Sequence, residues 1–436
     1  MKVFKFGGAS VKDADSVKNM ASIIQQHLGT PLVVIISASK ALVILPLVVI
    51  ISAMGKMTNA FEAVLAQTME ELDTTDSIQE IKDYHLNIIN GLGLTYDAQL
   101  MKDVDEVFEN LTHQLNRFSS APGYDFIYDQ TVSLGEILST KIVTAYLNHQ
   151  NVAATWLDAR KVVKTDQAHR SARVDWGATQ SIIRSQTATS LEESVIVSQG
   201  FIGSNSQFDT TTLGREGSDF SAAIFATSLS AETVVIWKDV AGVLSADPKK
   251  FKNAVKYDHL HYKEAAEMTY YGASVIHPKT IKPLAQKGIP LQVKCFNAPG
   301  DPGTLINDNL VPNKIPSIIL KENQTVISFK ISDFSFINEG HIQSIFEHIN
   351  RLNLTINLLQ NSAISFTICM DDNPGKREKL RSALAEDFLV YYNEGLELIT
   401  VKNYDQETVD ELMSERQIII EQRSRNNFQM VCKPQV

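Results

Sequence analysis

The sequence predicts an α/β protein: a mainly parallel sheet sandwiched by helices, followed by smaller α+β modules. Three observations carry that expectation. Short β-branched runs alternate with helical stretches over roughly the first three hundred residues, the pattern of a parallel sheet. The runs are apolar on both faces, as in Leu47-Val48-Val49-Ile50-Ile51, which fits strands covered by helices on either side. Past a stretch crowded by Pro299, Pro302, Pro312 and Pro316, a strand–helix–strand–strand unit occurs and is echoed in shorter form.

Taken in order, Lys2–Phe6 is a short strand ending in Gly7-Gly8, and residues 11–27 place Val17, Met20, Ile23, Ile24 and His27 at helical spacing. A loop at 54–56 leads into helical segments from 58 to about 116. Further strands are expected at 153–157, 194–198, 233–237 and 290–295, with helices at 131–148, 218–229, Tyr262–Tyr271 and 279–287 between them. The C-terminal unit reads as strand 326–331, helix 340–351 and strands 354–359 and 362–370. Its echo reads as strand 396–401, helix 407–414 and strands 417–421 and Asn427–Cys432. The expected division is a first domain at 1–306, a linker at 307–320 and a tandem region at 321–436, with units at 325–392 and 395–433.

Residues 31–53 interrupt this regularity. They form an apolar run whose sole charge is Lys40, and the octapeptide PLVVIISA begins at both Pro31 and Pro46. A helix of that length could cross a bilayer of about 30 Å. Lys40 near mid-bilayer costs roughly 2.5–3.5 kcal/mol and Pro46 inside a helix about 3 kcal/mol, and the β-branched composition favours a strand. A sheet has one central slot here. Leu47–Ile51 is expected to fill it, with 31–45 as an edge strand, a loop or an insertion; in the competing arrangement 32–36 fills it and Ser52 is displaced.

Composition narrows the function classes. The 436 residues are 44 % hydrophobic and 21 % charged, enough for a core and a solvated surface. A formal charge of −10 disfavours nucleic acid as a partner. The N-terminus has no apolar core of a signal peptide, and Cys295, Cys369 and Cys432 are scattered without a CxxC. A cytoplasmic protein without disulfides, a metal-ligand cluster or a membrane partner is expected.

Neither GxxxxGK[ST] nor GxGxxG occurs. Lys5-Phe6-Gly7-Gly8-Ala9-Ser10 offers related physics, since two glycines after a strand let backbone N–H groups approach an anion and Lys5 can neutralise a phosphoryl group. An ordinary tight turn explains it equally well. Gly214-Arg215-Glu216-Gly217-Ser218-Asp219 is a second Gly-rich loop opening a helix. There Asp219 reads either as a cap or as an acid that orients Lys5 or a metal, and Arg215 as a grip on a carboxylate. Glu136, in Ser133-Leu134-Gly135-Glu136, either complements a helix dipole or binds an ammonium group. The polar stretch from Lys238 to Lys249 follows an apolar strand, where open α/β sheets bind ligands, or is a plain loop with an Asp-Pro turn. His277-Pro278 has no nucleophile motif beside it and reads as structural.

Together, KFGGAS at 5–10, ISAMGKMTN at 51–59, SLGE at 133–136, LGREGSD at 213–219, IWKDVAGVLSADP at 236–248, YYGASVIHPKTIKPL at 270–284 and DPGTLI at 301–306 resemble the aspartokinases of the amino-acid kinase superfamily. INLLQNSAISFTI at 356–368 resembles the first ACT regulatory module of that family. The resemblance implies transfer of the ATP γ-phosphate to the side-chain carboxylate of L-aspartate, with Mg²⁺, as the first step towards lysine, threonine and methionine. It implies Lys5 and Asp219 as catalytic residues, and Gly7, Gly8, Ser10, Ser52 and Gly55 around the phosphates. Thr58, Glu136, Arg215 and Ser218 would bind aspartate, with Glu136 on its ammonium and Arg215 on its α-carboxylate. Lys238, Asp239, Leu244, Asp247, Lys249, Ser274 and Val275 fall where the family holds the nucleotide. The resemblance further implies feedback by an amino acid, lysine ahead of threonine, through ACT modules that pair in a homodimer or larger homo-oligomer. No room for a fused homoserine dehydrogenase is expected.

This chain departs from the family pattern at four positions. Ala9 replaces a hydroxyl residue, Leu244 a tyrosine and Ser274 a lysine; Glu216 replaces a glycine and is expected to point outward, away from ATP. The alternatives are a kinase of another acid, such as N-acetylglutamate or glutamate, and an inactive amino-acid sensor.

Overall fold

The computed structural model of the chain describes residues 1–28, 46–118, 123–273, 276–309, 315–331, 335–414 and 416–434. These fall into two compact units. The first is Met1–Val243 with Lys256–Ala266 and Val275–Val311, and the second is Leu244–Val255 with Glu267–Ser274 and Pro312–Val436.

The first unit is built on β1 (Lys2–Phe6), β2 (Leu47–Ile51), β3 (Ala154–Leu157), β4 (Val195–Gln199), β5 (Ile202–Ser204), β6 (Thr210–Thr212), β7 (Thr233–Lys238), β8 (His259–His261), β9 (Leu291–Cys295) and β10 (Thr304–Asn307). Among the described residues, eight of these form one sheet in the order β3-β4-β2-β1-β7-β9-β10-β8, and β5 and β6 form a separate hairpin. Pairing is parallel throughout the sheet except between β9 and β10. Leu47–Ile51 is wholly buried and occupies the slot between β1 and β4. The second copy of PLVVIISA is thus the core strand. The edge strand, loop or insertion expected of 31–45 lies outside the described residues. No helix among the described residues is long and apolar enough to cross a membrane.

The helices accompanying this sheet are α1 (Ala14–Leu28), α2 (Met57–Met69), α3 (Thr75–Gly91), α4 (Ala98–Asn116), α5 (Tyr124–His149), α6 (Ala159–Val162), α7 (Trp176–Thr187), α8 (Ser190–Glu193), α9 (Gly217–Leu229) and α11 (Pro278–Lys287), while α10 (Tyr262–Tyr271) is divided between the two units. Strand alternation explains how they cover it. On β1, Phe4 and Phe6 point to one face, where Phe4 meets His27 of α1 at 4.9 Å and Phe6 stacks on Trp237 at 5.9 Å. Lys5 points to the other face and meets Asp219 of α9. The small residues Ala222, Ala223 and Ala226 of α9, all fully buried, let that helix lie close on β1, β2 and β7.

Parallel register brings the strand ends to one edge. Phe6 pairs with Ile51 and with Trp237, and Ile51 pairs with Gln199. The chain therefore leaves β1, β2, β4 and β7 side by side, which is where open α/β sheets place their ligands.

The second unit holds β11 (Ser317–Ile331), α12 (Glu339–Arg351), β12 (Ile356–Asn361), β13 (Ser365–Asp371), α13 (Pro374–Leu384), β14 (Phe388–Lys402), α14 (Gln406–Ser414), β15 (Ile418–Arg423) and β16 (Asn427–Cys432). They make an antiparallel sheet in the order β12-β13-β11-β14-β16-β15. β11 and β14 are far longer than the runs legible in sequence, because each passes through both halves of the sheet. Residues 327–331 pair with 388–392, while 317–321 pair with 398–402, across a bulge between Lys321 and Gln324. The half of the sheet that holds the shorter echo therefore gains a further strand from Ser317–Lys321, of which 317–320 was expected to be linker. Each half has its own core: Ile327, Phe329, Ile345, Ile349 and Phe366 in one, and Ile399, Val401, Val409, Phe428 and Met430 in the other.

Candidate active site

The loop after β1 turns through a 3-10 segment, Gly8–Val11, in which Ser10 is buried and donates its N–H to the Gly7 carbonyl at 2.9 Å. It lies against the loop after β2, with the Gly55 N–H donating to the Gly8 carbonyl at 3.0 Å. Any side chain at position 8 would collide there, since a Cβ would lie 2.6 Å from the Gly55 oxygen and 2.8 Å from that of Ala53. The second loop is held from below, as Ser139 of α5 donates to the Ser52 carbonyl at 2.7 Å.

Beside these loops is a cavity of about 570 Å³. It is lined by Lys5, Ser52, Thr58, Glu136, Arg215, Ser218, Asp219 and Lys238, eight of the residues proposed from sequence, drawn from β1, β7, α2, α5, α9 and the loops after β2 and before α9. At its floor the buried Asp219 carboxylate lies 2.7 Å from the Lys5 ammonium and 3.6 Å from that of Lys238. Burial pushes the Asp219 carboxyl up, but the two ammonium groups outweigh it and hold it below the ordinary carboxylate value. The anion is therefore kept, and both cations are held on the cavity side of the sheet.

Glu136 has the opposite balance. It is 2 % exposed, and its Oε2 has no hydrogen-bond partner among the described residues. Burial pushes its pKa up to about 8, against weaker opposing pulls from its own backbone and that of Ala53. A buried carboxyl with one oxygen unsatisfied in a ligand-sized cavity is suited to receive a cation.

Gly7, Gly8, Ser10 and Gly55 sit in the two loops beside the cavity, and Asp239 is exposed just past β7. Leu244, Asp247 and Lys249 belong to the second compact unit, where the Asp247 carboxylate accepts the Lys249 N–H at 2.9 Å. Ser274 and Val275 lie outside the described residues. One expectation is overturned. Glu216 does not point outward; it lines the cavity with Oε2 buried and unpartnered. It stands in the left-handed turn that opens α9, with a φ of 54°.

Sequence reasoning missed Tyr128, Arg170, Phe201 and Thr212, which also line the cavity. Starting the helix at 131 rather than at Tyr124 left Tyr128 and Asp129 out of view. Arg170 and Phe201 have φ of 63° and 72°, which no motif announces. With Glu216, three non-glycine residues in the left-handed region line one cavity. Each such residue costs on the order of 1 kcal/mol, and strain of this kind clusters at functional sites.

The chain matches the amino acid kinase family over residues 1–295. It is 31 % identical over 372 residues to lysine-sensitive aspartokinase 3 of Escherichia coli, covering 85 % of this chain and 78 % of that protein. It is 30 % identical over 416 residues to the chloroplastic aspartokinase 2 of Arabidopsis thaliana, covering 92 % and 71 %. The crystal structure of E. coli aspartokinase III with aspartate and ADP superposes with a TM-score of 0.82 at 26 % identity, over 99 % of this chain and 96 % of that one. The same enzyme with lysine and aspartate gives 0.79 at 27 % identity, over 99 % and 95 %. The fold is the amino-acid kinase fold followed by ACT-like modules. The chain belongs to the amino acid kinase family and, within it, to the aspartokinases.

Proposed function

We propose that the protein transfers the γ-phosphate of ATP to the side-chain carboxylate of L-aspartate, giving 4-phospho-L-aspartate and ADP. The observation that supports it best is a Lys5–Asp219–Lys238 cluster around a buried carboxylate, opening onto the same cavity as Glu136, whose Oε2 is unpartnered, and as Arg215. An aspartate carboxylate oxygen attacks the γ-phosphorus, and the bond from that phosphorus to the β–γ bridging oxygen breaks as ADP leaves. The attacking group is already ionised at neutral pH (ordinary pKa about 3.9), so no general base is required. What remains is alignment and neutralisation of charge.

Lys5 and Lys238 supply that charge, with Asp219 fixing both ammonium groups. Glu136 takes the substrate ammonium and Arg215 its α-carboxylate, with Ser218 and Thr58 beside them. Gly7, Gly8, Ser10, Ser52 and Gly55 receive the phosphates. The residues fit a polyphosphate here: a Cβ on Gly7 would lie 3.3 Å from the Lys5 ammonium, in the space an anion needs. Lys238 and Asp239 are assigned to the nucleotide. Mg²⁺ bound to the ATP phosphates supplies further neutralisation of the transferred group. Asp219 would face it, in keeping with an ion that takes one or two carboxylates besides phosphate and water.

We assign catalysis to 1–306 and regulation by an amino acid to 321–436, with units at 325–392 and 395–433; of the linker expected at 307–320, residues 317–320 instead belong to β11. Lysine is the proposed effector, ahead of threonine, acting on a homodimer or larger homo-oligomer. The lysine-bound relative and the paired modules support this. The three free cysteines fit a reducing cytoplasm. A coupled ADP-release assay with L-aspartate, L-glutamate, N-acetylglutamate and UMP tests the activity. Turnover on aspartate is expected; turnover on another acceptor but not on aspartate overturns it.

A further inference from the structure

Helix α5 carries two buried acids, Asp129 and Glu136, seven residues apart. At 100° per residue that spacing returns to the same face two turns along. Glu136 lines the cavity, whereas Asp129 stands behind its wall, fully buried, and accepts from several donors at once. The Thr212 N–H donates to it at 3.0 Å and the Thr212 hydroxyl at 2.7 Å. The Arg170 N–H donates to both oxygens at 3.2 and 3.1 Å, and His169 Nδ1 lies 2.9 Å away. One carboxylate thus ties α5 to β6 and to the 169–170 turn, and both Thr212 and Arg170 line the cavity.

What the clamp presents is a guanidinium. Arg170 has a φ of 63°, a conformation an arginine does not keep unaided, and the two hydrogen bonds to Asp129 hold it. Its guanidinium lies 4.5 Å over the Tyr128 ring and 5.5 Å over that of Tyr124. The same group pairs with Asp125 at 3.3 Å, but both side chains are about half exposed or more, 47 % and 62 %. An ion pair so open to water is worth little and gives way to an arriving anion. The guanidinium is planar, always charged and held by stacking, which suits it to a carboxylate at the cavity rim.

We propose that Arg170 is a specificity-determining residue of the aspartate cavity, favouring a dicarboxylate over its monoamides, and that Asp129 is the residue that positions it. The proposal rests on the aspartate kinase reading. Substrate meets Arg170 at the rim, exchanges with Asp125 for its guanidinium, and is held between it and Arg215 while Glu136 takes the ammonium. Asp129 touches no substrate; it sets where Arg170 stands.

The test is calorimetric binding of L-aspartate, L-asparagine and L-isoasparagine to the ADP-bound protein, with steady-state kinetics alongside. Arg170→Met keeps a stem over Tyr128 and removes the charge. It is expected to weaken aspartate binding by about tenfold or more and to narrow the preference over at least one amide by a similar factor. KM for MgATP and the melting temperature should stay as in the wild type, and Arg170→Lys should fall between. Asp129→Asn should show the same loss of preference, with KM for aspartate rising more than kcat falls. If Arg170→Met binds all three ligands as the wild type does, the proposal is overturned, whether or not Asp129→Asn folds. Failure of the wild type to phosphorylate aspartate would instead overturn the reading on which it rests.

Discussion

Glu136 gives the site a proton that moves with substrate. In the ligand-free protein its carboxyl titrates at about 8, so it is largely protonated at pH 7. An ammonium group placed against it lowers that value, so aspartate binding at pH 7 should release close to one proton. Calorimetry in buffers of different ionisation enthalpy measures this directly, and the release should fade as pH rises past 8. The stability consequence has a definite sign. The folded-state value lies above the ordinary 4.5, so the folded state holds the extra proton and loses stability as pH rises from 4.5 towards 8. Glu136→Gln should remove that slope, melt higher than the wild type at pH 9 and lose aspartate binding. Lys5 behaves differently, because it neutralises a buried anion. Lys5→Met should reduce phosphoryl transfer by roughly 10²–10⁴-fold, judged against loss of comparable electrostatic donors, with Lys238 still beside Asp219 to keep the fold.

At the scale of the element, the strands were the most legible part of the chain. Leu47–Ile51 could be read because a strand buried on both faces is apolar at every position, and it is. Its neighbour by duplication showed that composition alone does not choose between two identical runs; the Met54-Gly55-Lys56 loop attached to the second copy does. Val49→Asp should therefore place a charge at the centre of the sheet and prevent folding or lower the melting temperature by more than about 10 °C, while the same change at Val34 should leave the β1–β2–β4 register intact. The long strands β11 and β14 escaped reading because their middles are exposed, around Glu322 and Glu394, so only one part of each, 326–331 and 396–401, read as a strand. Loops were legible where glycine was required. Gly8→Ala, pressed against the Gly55 and Ala53 carbonyls, should raise KM for ATP and lower kcat without unfolding the protein.

Across the whole molecule, what could be read was whatever the chemistry repeats: Lys5, Glu136, Arg215 and Asp219 stand in short motifs and converge on one cavity because parallel register brings their strand ends and helices together. What could not be read depends on backbone conformation. Arg170, Phe201 and Glu216 line the cavity with left-handed φ values that no motif announces, and Glu216 lines it against expectation. Regulation belongs to the same scale: lysine should lower the rate of aspartate phosphorylation by the full chain, and light scattering should report a homodimer or larger assembly. The product of the reaction is an acyl phosphate on the side chain of aspartate. Trapping with hydroxylamine tests it most directly. Incubation with MgATP, L-aspartate and hydroxylamine should yield aspartate β-hydroxamate in step with ADP, and Lys5→Met should yield almost none. ADP release with no hydroxamate, or a hydroxamate formed only with a different acid, would contradict it.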